Sequence, residues 1–369
     1  PYPAIIDGKI LWIIDGYTTS AGYPNSRVVN LANTGDALTS RSNAVSSLDD
    51  RNVNYIRNSV KATVDAYDGT VSLYQWDEKD PVLATWSKAF PGTVKPRSEI
   101  SSELLAHVRY PEDMFRVQRD ILSAYHVTTA DAFYGGQDFW RVPRDPSSFG
   151  SNSGNQPPYY LTMQIPGQTK PTFSLYTPFV PRGGRENLTA LAVVNSDAGD
   201  EYGKITVLQL PRSTNIAGPS QVSSNFEAKP EVATSLSLLR QGGSDVVLGN
   251  LLTLPVGKGL LYVQPVYVRA TGNTAAYPLL QKVLVSFGDQ IGFSETLQGA
   301  LDQVFGGNSG TTVSDTQQST ATPGGVGNSQ AIRAAISSLQ AAYADLEAAQ
   351  KRLDGAAEDR ARARVKAAI

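Results

Sequence analysis

The chain has 369 residues, more than one hydrophobic core usually spans, so two lobes or one large mixed domain are expected. Its 32 basic and 34 acidic residues give a formal net charge of -2, so no general electrostatic attraction favours nucleic acid, and we expect no nucleic-acid partner. The absence of cysteine excludes disulfides, thiolate catalysis and cysteine-ligated zinc.

Two β-hairpins are predicted near the start of the chain. Residues 4 to 18 form apolar runs around an Asp7-Gly8 turn, and residues 59 to 76 alternate on either side of Asp68-Gly69. Asp-Gly favours the tight turns that join antiparallel strands, so each run should pair with its neighbour.

A helical region follows these hairpins. Between residues 81 and 142 apolar side chains recur at helical spacing, and Tyr110-Pro111-Glu112-Asp113 has the composition of a helix start. We therefore assign residues 1 to 142 to an N-terminal α+β lobe. A polar loop rich in Pro, Ser, Gly and Asn, residues 143 to 158, begins the next lobe.

Strands return in the second lobe. They are predicted at 159–164, 172–176, 188–194, 204–210, 246–254, 259–270 and 283–287. One helix is predicted over 219–241, where Pro230 must kink, start or divide it, and another over 294–305 with Ser294 as its N-cap. Runs of strands separated by grouped helices favour an α+β fold with mixed, largely antiparallel sheets. We assign residues 143 to 305 to this second α+β lobe.

The end of the chain has two predicted segments. Residues 306–330 consist largely of Gly, Ser, Thr and Gln, which predicts a flexible linker. Residues 331–369 predict a helical, coiled-coil-like tail. Its seam alternates spacings of four and three and contains Ile332, Ile336, Leu339, Tyr343, Leu346, Gln350 and Leu353. The six members other than Gln350 could dock on the same domain or form a homo-oligomer, and the third alternative is a tail with no partner.

The chain carries few indications of catalysis. It lacks G-x-S-x-G, a P-loop and G-x-G-x-x-G, and we interpret its two histidines, His107 and His126, as structural or surface residues. Two carboxylate pairs could supply a general acid and base to a glycan: Glu99 with Glu103, and Glu112 with Asp113. A shared helix face and a helix start explain these pairs better than catalysis does, so no catalytic residue is predicted.

Two acidic turns, residues 77–80 and 197–201, have oxygen ligands that would suit calcium. Neither has the spacing of an EF-hand, and turns of this composition are usually only solvated. We therefore predict no metal site, and we expect no cofactor.

The candidate ligand-binding residues follow the apolar strand of the first hairpin. They are Asp15, Tyr17, Thr18 and Thr19. Their polar groups could line a cleft at the end of the strand. The same groups could instead satisfy the backbone of a tight strand exit, and both interpretations stay open at this point.

Ordered motifs along the chain resemble a known family. In the first half they are Pro1-Tyr2-Pro3, Asp15 to Ser20, Tyr55 to Lys61, Arg109-Tyr110-Pro111, Gln118 and Phe133-Tyr134. In the second half they are Pro178-Phe179, Arg185 to Leu188, Gly218 to Gln221, Gly249 to Leu252 and Tyr262 to Tyr267. Together, over about residues 1 to 305, these motifs are similar to uncharacterised protein family 0182.

The resemblance implies a large multi-pass membrane protein, typical of actinobacteria, with this domain at the cell membrane on the extracytoplasmic side. The transmembrane region of its own full-length chain would then be a partner. This sequence has no apolar run approaching the roughly 20 residues of a membrane-spanning helix, and its start at Pro1 without Met suggests a piece of a longer protein. The family supplies no activity, cofactor or catalytic residue to carry over.

Three functions of different classes follow from these observations. We favour a binding or assembly module at the cell envelope, since the motifs of the common enzymes are missing, and envelope glycan or lipid is its expected ligand. The first alternative is a hydrolase or transferase that acts on such material through paired carboxylates. The second is a solute-binding accessory domain of a transporter.

Overall fold

The computed structural model describes residues 1–31, 52–147, 154–211, 213, 215–241, 243–257, 259–271 and 277–307. The chain divides into two units, Pro1–Thr311 and Thr312–Ile369. The predicted tail and its apolar seam, and nearly all of the predicted linker, lie outside the described residues.

The first sheet contains both predicted hairpins, which are confirmed. Its strands are β1 (Tyr2–Ile6), β2 (Lys9–Ser20), β5 (Tyr55–Asp65) and β6 (Val71–Gln75), antiparallel in the order β1-β2-β5-β6. Two short strands, β3 (Val29–Asn30) and β4 (Asn52–Val53), pair separately. The β1–β2 turn has positive φ at both central residues, Asp7 at 50° and Gly8 at 74°, which is the backbone a tight Asp-Gly hairpin turn requires.

Four helices and one 3₁₀ turn follow, as the helical spacing predicts. They are α1 (Pro81–Ala89), the 3₁₀ turn Arg97–Glu99, α2 (Ser102–His107), α3 (Glu112–Tyr125) and α4 (Ala130–Gly135). The helix start predicted at residues 110–113 is confirmed, because α3 begins directly after Pro111 with Glu112 and Asp113 in its first turn. Acidic side chains there favour the positive end of the helix dipole.

The second and third sheets occupy the rest of the described chain. The second has β7 (Trp140–Arg141), β8 (Tyr159–Met163), β9 (Thr172–Pro181), β10 (Ala190–Asn195) and β11 (Ile205–Gln209), in the order β11-β10-β9-β7 with β8 also pairing β9. The third has β12 (Ser244–Leu248), β13 (Leu252–Val256), β14 (Gly259–Ala270), β15 (Leu279–Phe287) and β16 (Gln290–Ser294), in the order β12-β14-β15-β16 with β13 also pairing β14. Every ladder of these sheets is antiparallel, so the α+β prediction is confirmed.

Three details of the second half differ from the sequence prediction. The predicted 219–241 helix is two helices, α5 (Pro219–Ala228) and α6 (Pro230–Leu239), so Pro230 starts a new helix. The predicted 246–254 strand is divided into β12 and β13, which both pair with β14 but in registers that differ by one residue: Leu248 lies opposite Val266, and Leu252 opposite Val263.

The helix predicted from residue 294 also starts later than expected. It is α7 (Leu297–Phe305), and its N-cap is Thr296, whose hydroxyl accepts a bond from the Gly299 N–H. Ser294 instead ends β16, which the sequence patterns did not predict. Ser294 pairs with Val283 of β15, so it belongs to the sheet and not to the helix start.

Two apolar clusters organise the molecule around the second sheet. The larger packs α5 and α6 between the second and third sheets, with Phe226, Val232 and Leu236 fully or almost fully buried. The other packs α3 against the second sheet through Phe115 and Phe179. This second cluster has members on both sides of the predicted lobe boundary at residue 142, which stays a prediction.

Candidate functional site

A cavity of about 1030 Å³ opens beside α3 and the second sheet. Its walls come from α3, from β7 and the residues after it, from the β9–β10 connection and from the first turns of α5. The Phe115 cluster holds α3 against the sheet, so the polar side of this helix faces the cavity. We call this cavity the arginine cleft, after the residues that line it.

Six arginines line the arginine cleft. They are Arg27, Arg116, Arg119, Arg141, Arg144 and Arg182. Among the described residues, two carboxylates, Asp120 and Glu186, line it with them. Glu112 and Glu186 pair with Arg116 and Arg141, and the remaining arginines still leave the cleft cationic although the whole chain has a formal net charge of -2. A concave surface of one charge concentrates the electric field and attracts ligands of the opposite charge.

The helix α3 supplies the buried side of the cleft. Arg116, Arg119 and Ser123 recur at spacings of three and four, so they share one face of the helix. The Arg116 side chain is only 3% exposed; its Nε and Nη2 donate to Glu112, while Nη1 has no acceptor among the described residues. Arg119 Nη1 donates to the carbonyl of Gln156 at 3.0 Å.

The outer side of the cleft carries arginines without carboxylate partners. Arg141 forms an ion pair with Glu186, but Arg27, Arg144 and Arg182 form no ion pair with any other residue that the structure describes. All three are exposed. Their positive charges are therefore available to a ligand, and a guanidinium can donate two parallel hydrogen bonds to a carboxylate or phosphate.

The start of α5 forms a third wall. Its N-cap is Gly218, which has no side chain to cap the helix, and its first residue is Pro219, which has no N–H. Ser220 and Gln221 line the cleft, so the first free N–H groups of this helix lie at its wall. Phe139, Trp140 and Val142 supply apolar surface nearby. The arrangement suits an anion attached to a less polar body.

The structure does not bring the predicted ligand-binding residues into this cleft. Asp15 pairs with the buried Lys61, and Thr18 donates to Asp80 at 2.6 Å. Tyr17 packs in a small apolar cluster with its hydroxyl buried. Thr19 is the next residue of β2 after Thr18, so it lies on the opposite face of the sheet. Ligand binding by Asp15, Tyr17, Thr18 and Thr19 therefore stays a prediction.

Lys61 is the centre of a polar network under the first sheet. Its Nζ donates to Asp15, to the Arg109 carbonyl at 3.2 Å and to the Tyr202 hydroxyl at 3.1 Å. It also lies 5.1 Å from the Trp76 ring centre. Burial lowers the pKa of Lys61, and the Asp15 charge opposes that change. Each polar contact compensates the desolvation of the ammonium, so the network accounts for Asp15 structurally.

Asp80 also has a structural role. It is the N-cap of α1 and accepts bonds from the Val82 and Leu83 N–H groups. Three hydroxyls, from Thr18, Ser59 and Tyr55, donate to the same carboxylate. Desolvation alone would raise the pKa of Asp80, but the bonds from Ser59, Thr18 and Tyr55 and from the Val82 N–H outweigh it and lower the pKa to about 2.

Several of the other acidic residues considered in the sequence have partners elsewhere in the protein. Glu112 pairs with Arg116, and Glu103 accepts a bond from the Asp7 N–H. In the acidic turns, Asp77 pairs with Arg57, and Glu201 with Lys204. Among the residues that the structure describes, no group of three or more His, Asp or Glu side chains is placed to hold a metal ion.

Both histidines contact nearby backbone carbonyls. His107 Nδ1 lies 2.8 Å from the Glu103 carbonyl oxygen, one turn back in α2. His126 lies close to the carbonyls of Leu122 and Asp138, and its ring stacks on Trp140 with 3.4 Å between ring centres. These contacts fix the position of each ring.

Sequence reasoning missed the arginine cleft. Six arginines occur as three R-x-x-R pairs: Arg116 and Arg119, Arg141 and Arg144, and Arg182 and Arg185. Five of these six line the cleft, and Arg185 lines a neighbouring cavity of about 550 Å³. The repeated R-x-x-R spacing was the one available indication of this site in the sequence. The residues around each pair do not show that the three segments come together in the fold.

Comparison with known proteins gives a consistent family. The model of the Uncharacterised protein family (UPF0182) matches residues 1–239. A UPF0182 protein of Leifsonia xyli subsp. xyli is 55% identical over 337 residues, which cover 88% of this chain and 34% of the relative. A UPF0182 protein of Thermobifida fusca is 57% identical over 309 residues, covering 83% of this chain and 30% of the relative.

A third relative, from Bifidobacterium longum, is 52% identical over 329 residues, covering 86% of this chain and 31% of the relative. The chain therefore spans about a third of the length of these relatives, which come from actinobacteria. No solved structure matches the chain. Within the described ranges, no helix has both the length and the apolar character needed to cross a membrane.

Proposed function

The chain belongs to the Uncharacterised protein family (UPF0182), and from this premise we propose that it is a binding module that holds an anionic ligand in its arginine cleft. The observation that carries the proposal is the cluster of six arginines around one cavity, of which Arg116 pairs with Glu112 and Arg141 with Glu186, while the described lining adds one further carboxylate, Asp120. Like charges brought together repel, so a protein gains little from such a cluster unless an anion neutralises it. The exposed side chains of Arg27, Arg144 and Arg182, which have no ion pair among the described residues, supply the positive charge that such an anion would neutralise.

The proposed setting is the extracytoplasmic side of the cell membrane. The relatives are about three times as long as this chain, which leaves room for a transmembrane region in the same protein. In that setting the anionic ligand would be an envelope glycan or lipid, and the domain would present it to the transmembrane region. The cavity of about 1030 Å³ also has the size of a small-solute site, which keeps the transporter accessory role as an alternative.

The test compares a polyanion with its uncharged parent. Low-mass dextran sulfate and neutral dextran would be titrated into the chain, and binding measured by calorimetry at two salt concentrations. We expect the protein to bind dextran sulfate and not dextran, with weaker binding at high salt because salt screens exposed charges. The double variant Arg144→Gln/Arg182→Gln should weaken binding at least tenfold.

The matched control is Arg269→Gln. Arg269 is exposed, lies on β14, pairs with Asp245 and is not among the residues lining the cleft, so its replacement removes one positive charge outside the cleft, against two inside it in the double variant. If the double variant bound dextran sulfate as tightly as the control, the polyanion would be held elsewhere and the proposal would be wrong.

A further inference from the structure

The first turn of α5 offers unsatisfied donors to the arginine cleft. This helix has ten residues, no side-chain cap and Pro219 at its first position, so the N–H groups of Ser220 and Gln221 have neither an intrahelical acceptor nor a cap. The positive end of the helix dipole adds to the arginine charge at this wall. Helix starts of this kind bind phosphate and other anions.

Two further donors at the cleft have no acceptor. The Ser220 hydroxyl is buried and unpartnered, and Arg116, with its side chain 3% exposed, leaves Nη1 unpartnered among the described residues. Both residues line the cleft. A buried donor without an acceptor destabilises the fold, and rotation about the serine χ1 bond would turn its hydroxyl toward the cleft. After that rotation the Ser220 hydroxyl could donate to a ligand oxygen in the cleft.

We propose that the anionic group held in the arginine cleft is a phosphate monoester, placed between the start of α5 and the cleft arginines. This inference rests on the proposed anion-binding function and names its ligand class. A phosphate monoester has three terminal oxygens and a charge of about -1.5 to -2 at neutral pH. Donors on three elements, α3, the β9–β10 connection and α5, match three divergent oxygens better than the two coplanar oxygens of a carboxylate.

The size of the cleft indicates that the phosphate is attached to an organic group. A cavity of about 1030 Å³ is large for an inorganic ion and falls at the upper end of the range for small-molecule sites. The surface of Phe139, Trp140 and Val142 gives that body an apolar wall. The same phosphate monoester chemistry occurs in a soluble sugar or polyol phosphate and in a lipid with a bare phosphate headgroup.

The first experiment ranks anions at constant ionic strength and pH 7.5. Calorimetry would compare glycerol 3-phosphate with succinate, a dicarboxylate of similar charge. We expect glycerol 3-phosphate to bind at least tenfold more tightly. Equal affinities that both fall in Arg144→Gln/Arg182→Gln would overturn the phosphate inference and leave anion binding intact. No binding of either anion or of dextran sulfate would overturn both.

The second experiment identifies the source of the phosphate. Vesicles with phosphatidic acid present a monoester, whereas vesicles with phosphatidylglycerol present a diester. Capture by the first and not the second supports a lipid ligand, and binding of glycerol 3-phosphate without vesicle capture supports a soluble one. Equal capture by both vesicle types, with no preference for glycerol 3-phosphate over succinate, would contradict the inference.

The third experiment separates binding from folding at Ser220. Ser220→Ala should weaken glycerol 3-phosphate binding roughly tenfold, since it removes one hydrogen bond to a charged group. The same change should leave the thermal midpoint unchanged or slightly raised, because an unpartnered buried hydroxyl is removed. Ser237→Ala, at an exposed position on α6, is the matched control. Unchanged affinity in Ser220→Ala would remove this residue from the site and count against the inference.

Discussion

At the scale of single residues, the first sheet buries its polar side. On β5, Ser59, Lys61, Thr63 and Asp65 are all buried and alternate with less buried apolar neighbours. Burial of such groups is tolerated only when each finds a partner. Lys61 forms an ion pair with Asp15, and the Ser59 hydroxyl donates a hydrogen bond to Asp80. The polar stretch at the end of β2 therefore completes an internal network.

The pKa of Asp80 predicts a pH dependence of stability. Because the folded value of about 2 lies below the roughly 3.9 of an unfolded aspartate, the carboxylate stabilises the fold fully above pH 4 and loses that effect as the pH falls toward 2. The contribution is about 2 kcal/mol of unfolding free energy. Asp80→Asn keeps a capping side chain but lacks the charge.

Denaturant unfolding at several pH values checks this prediction. The unfolding free energy of the wild-type protein should exceed that of Asp80→Asn by about 2 kcal/mol at pH 7, and this difference should become smaller between pH 4 and 2. Other carboxylates titrate in both proteins and cancel in the difference. If the difference in unfolding free energy stayed constant down to pH 2, the charge of Asp80 would not be the source of the stabilisation.

At the scale of elements, the entry into α5 depends on one glycine. The Gly218 N–H bonds to the Glu186 carbonyl, and a Cβ at this position would lie 2.2 Å from that carbonyl oxygen and 3.0 Å from a methyl group of Val180. The Glu186 carbonyl belongs to the backbone, so it cannot move away from an added Cβ as the end of a flexible side chain could. The close approach therefore holds the start of α5 beside the Glu186 segment of the cleft.

Gly218→Ala should consequently destabilise the protein and displace this wall. We expect a loss of about 1–3 kcal/mol in denaturant unfolding, typical of overpacking, together with weaker dextran sulfate binding. Gly199→Ala is the control, since a Cβ there meets nothing within 4 Å. Equal stability of the two variants would mean that the Gly218 contact relaxes easily.

At the scale of the whole molecule, the α3 cluster connects the first half of the described chain to the second. Phe115 is fully buried and packs with Trp140 of β7 and with Leu175 and Phe179 of β9. The predicted lobes, 1–142 and 143–305, share this core. We therefore expect the two lobes to unfold together.

Phe115→Ala tests that coupling. Loss of a fully buried phenylalanine costs about 3–5 kcal/mol, and calorimetry should show one transition shifted as a whole to lower temperature. Phe90→Ala, where the ring is 57% exposed, should shift it far less. Two separate transitions, of which only one moves, would show that the lobes are thermodynamically independent.

The sequence by itself determined the features that depend on neighbouring residues. The Asp7-Gly8 turn and the start of α3 after Pro111 follow from local backbone preferences, and the family follows from the order of many short motifs. At Pro230 the sequence left a kink, a start or a division open, and the structure shows a new helix. Only the tertiary structure decided that Thr296 rather than Ser294 caps α7. It alone also brought Arg116, Arg144, Arg182 and the start of α5 to one cleft. The reason is physical: a cap or turn is chosen among adjacent atoms, whereas a binding site needs side chains from distant segments, and their convergence is set by which apolar faces pack together.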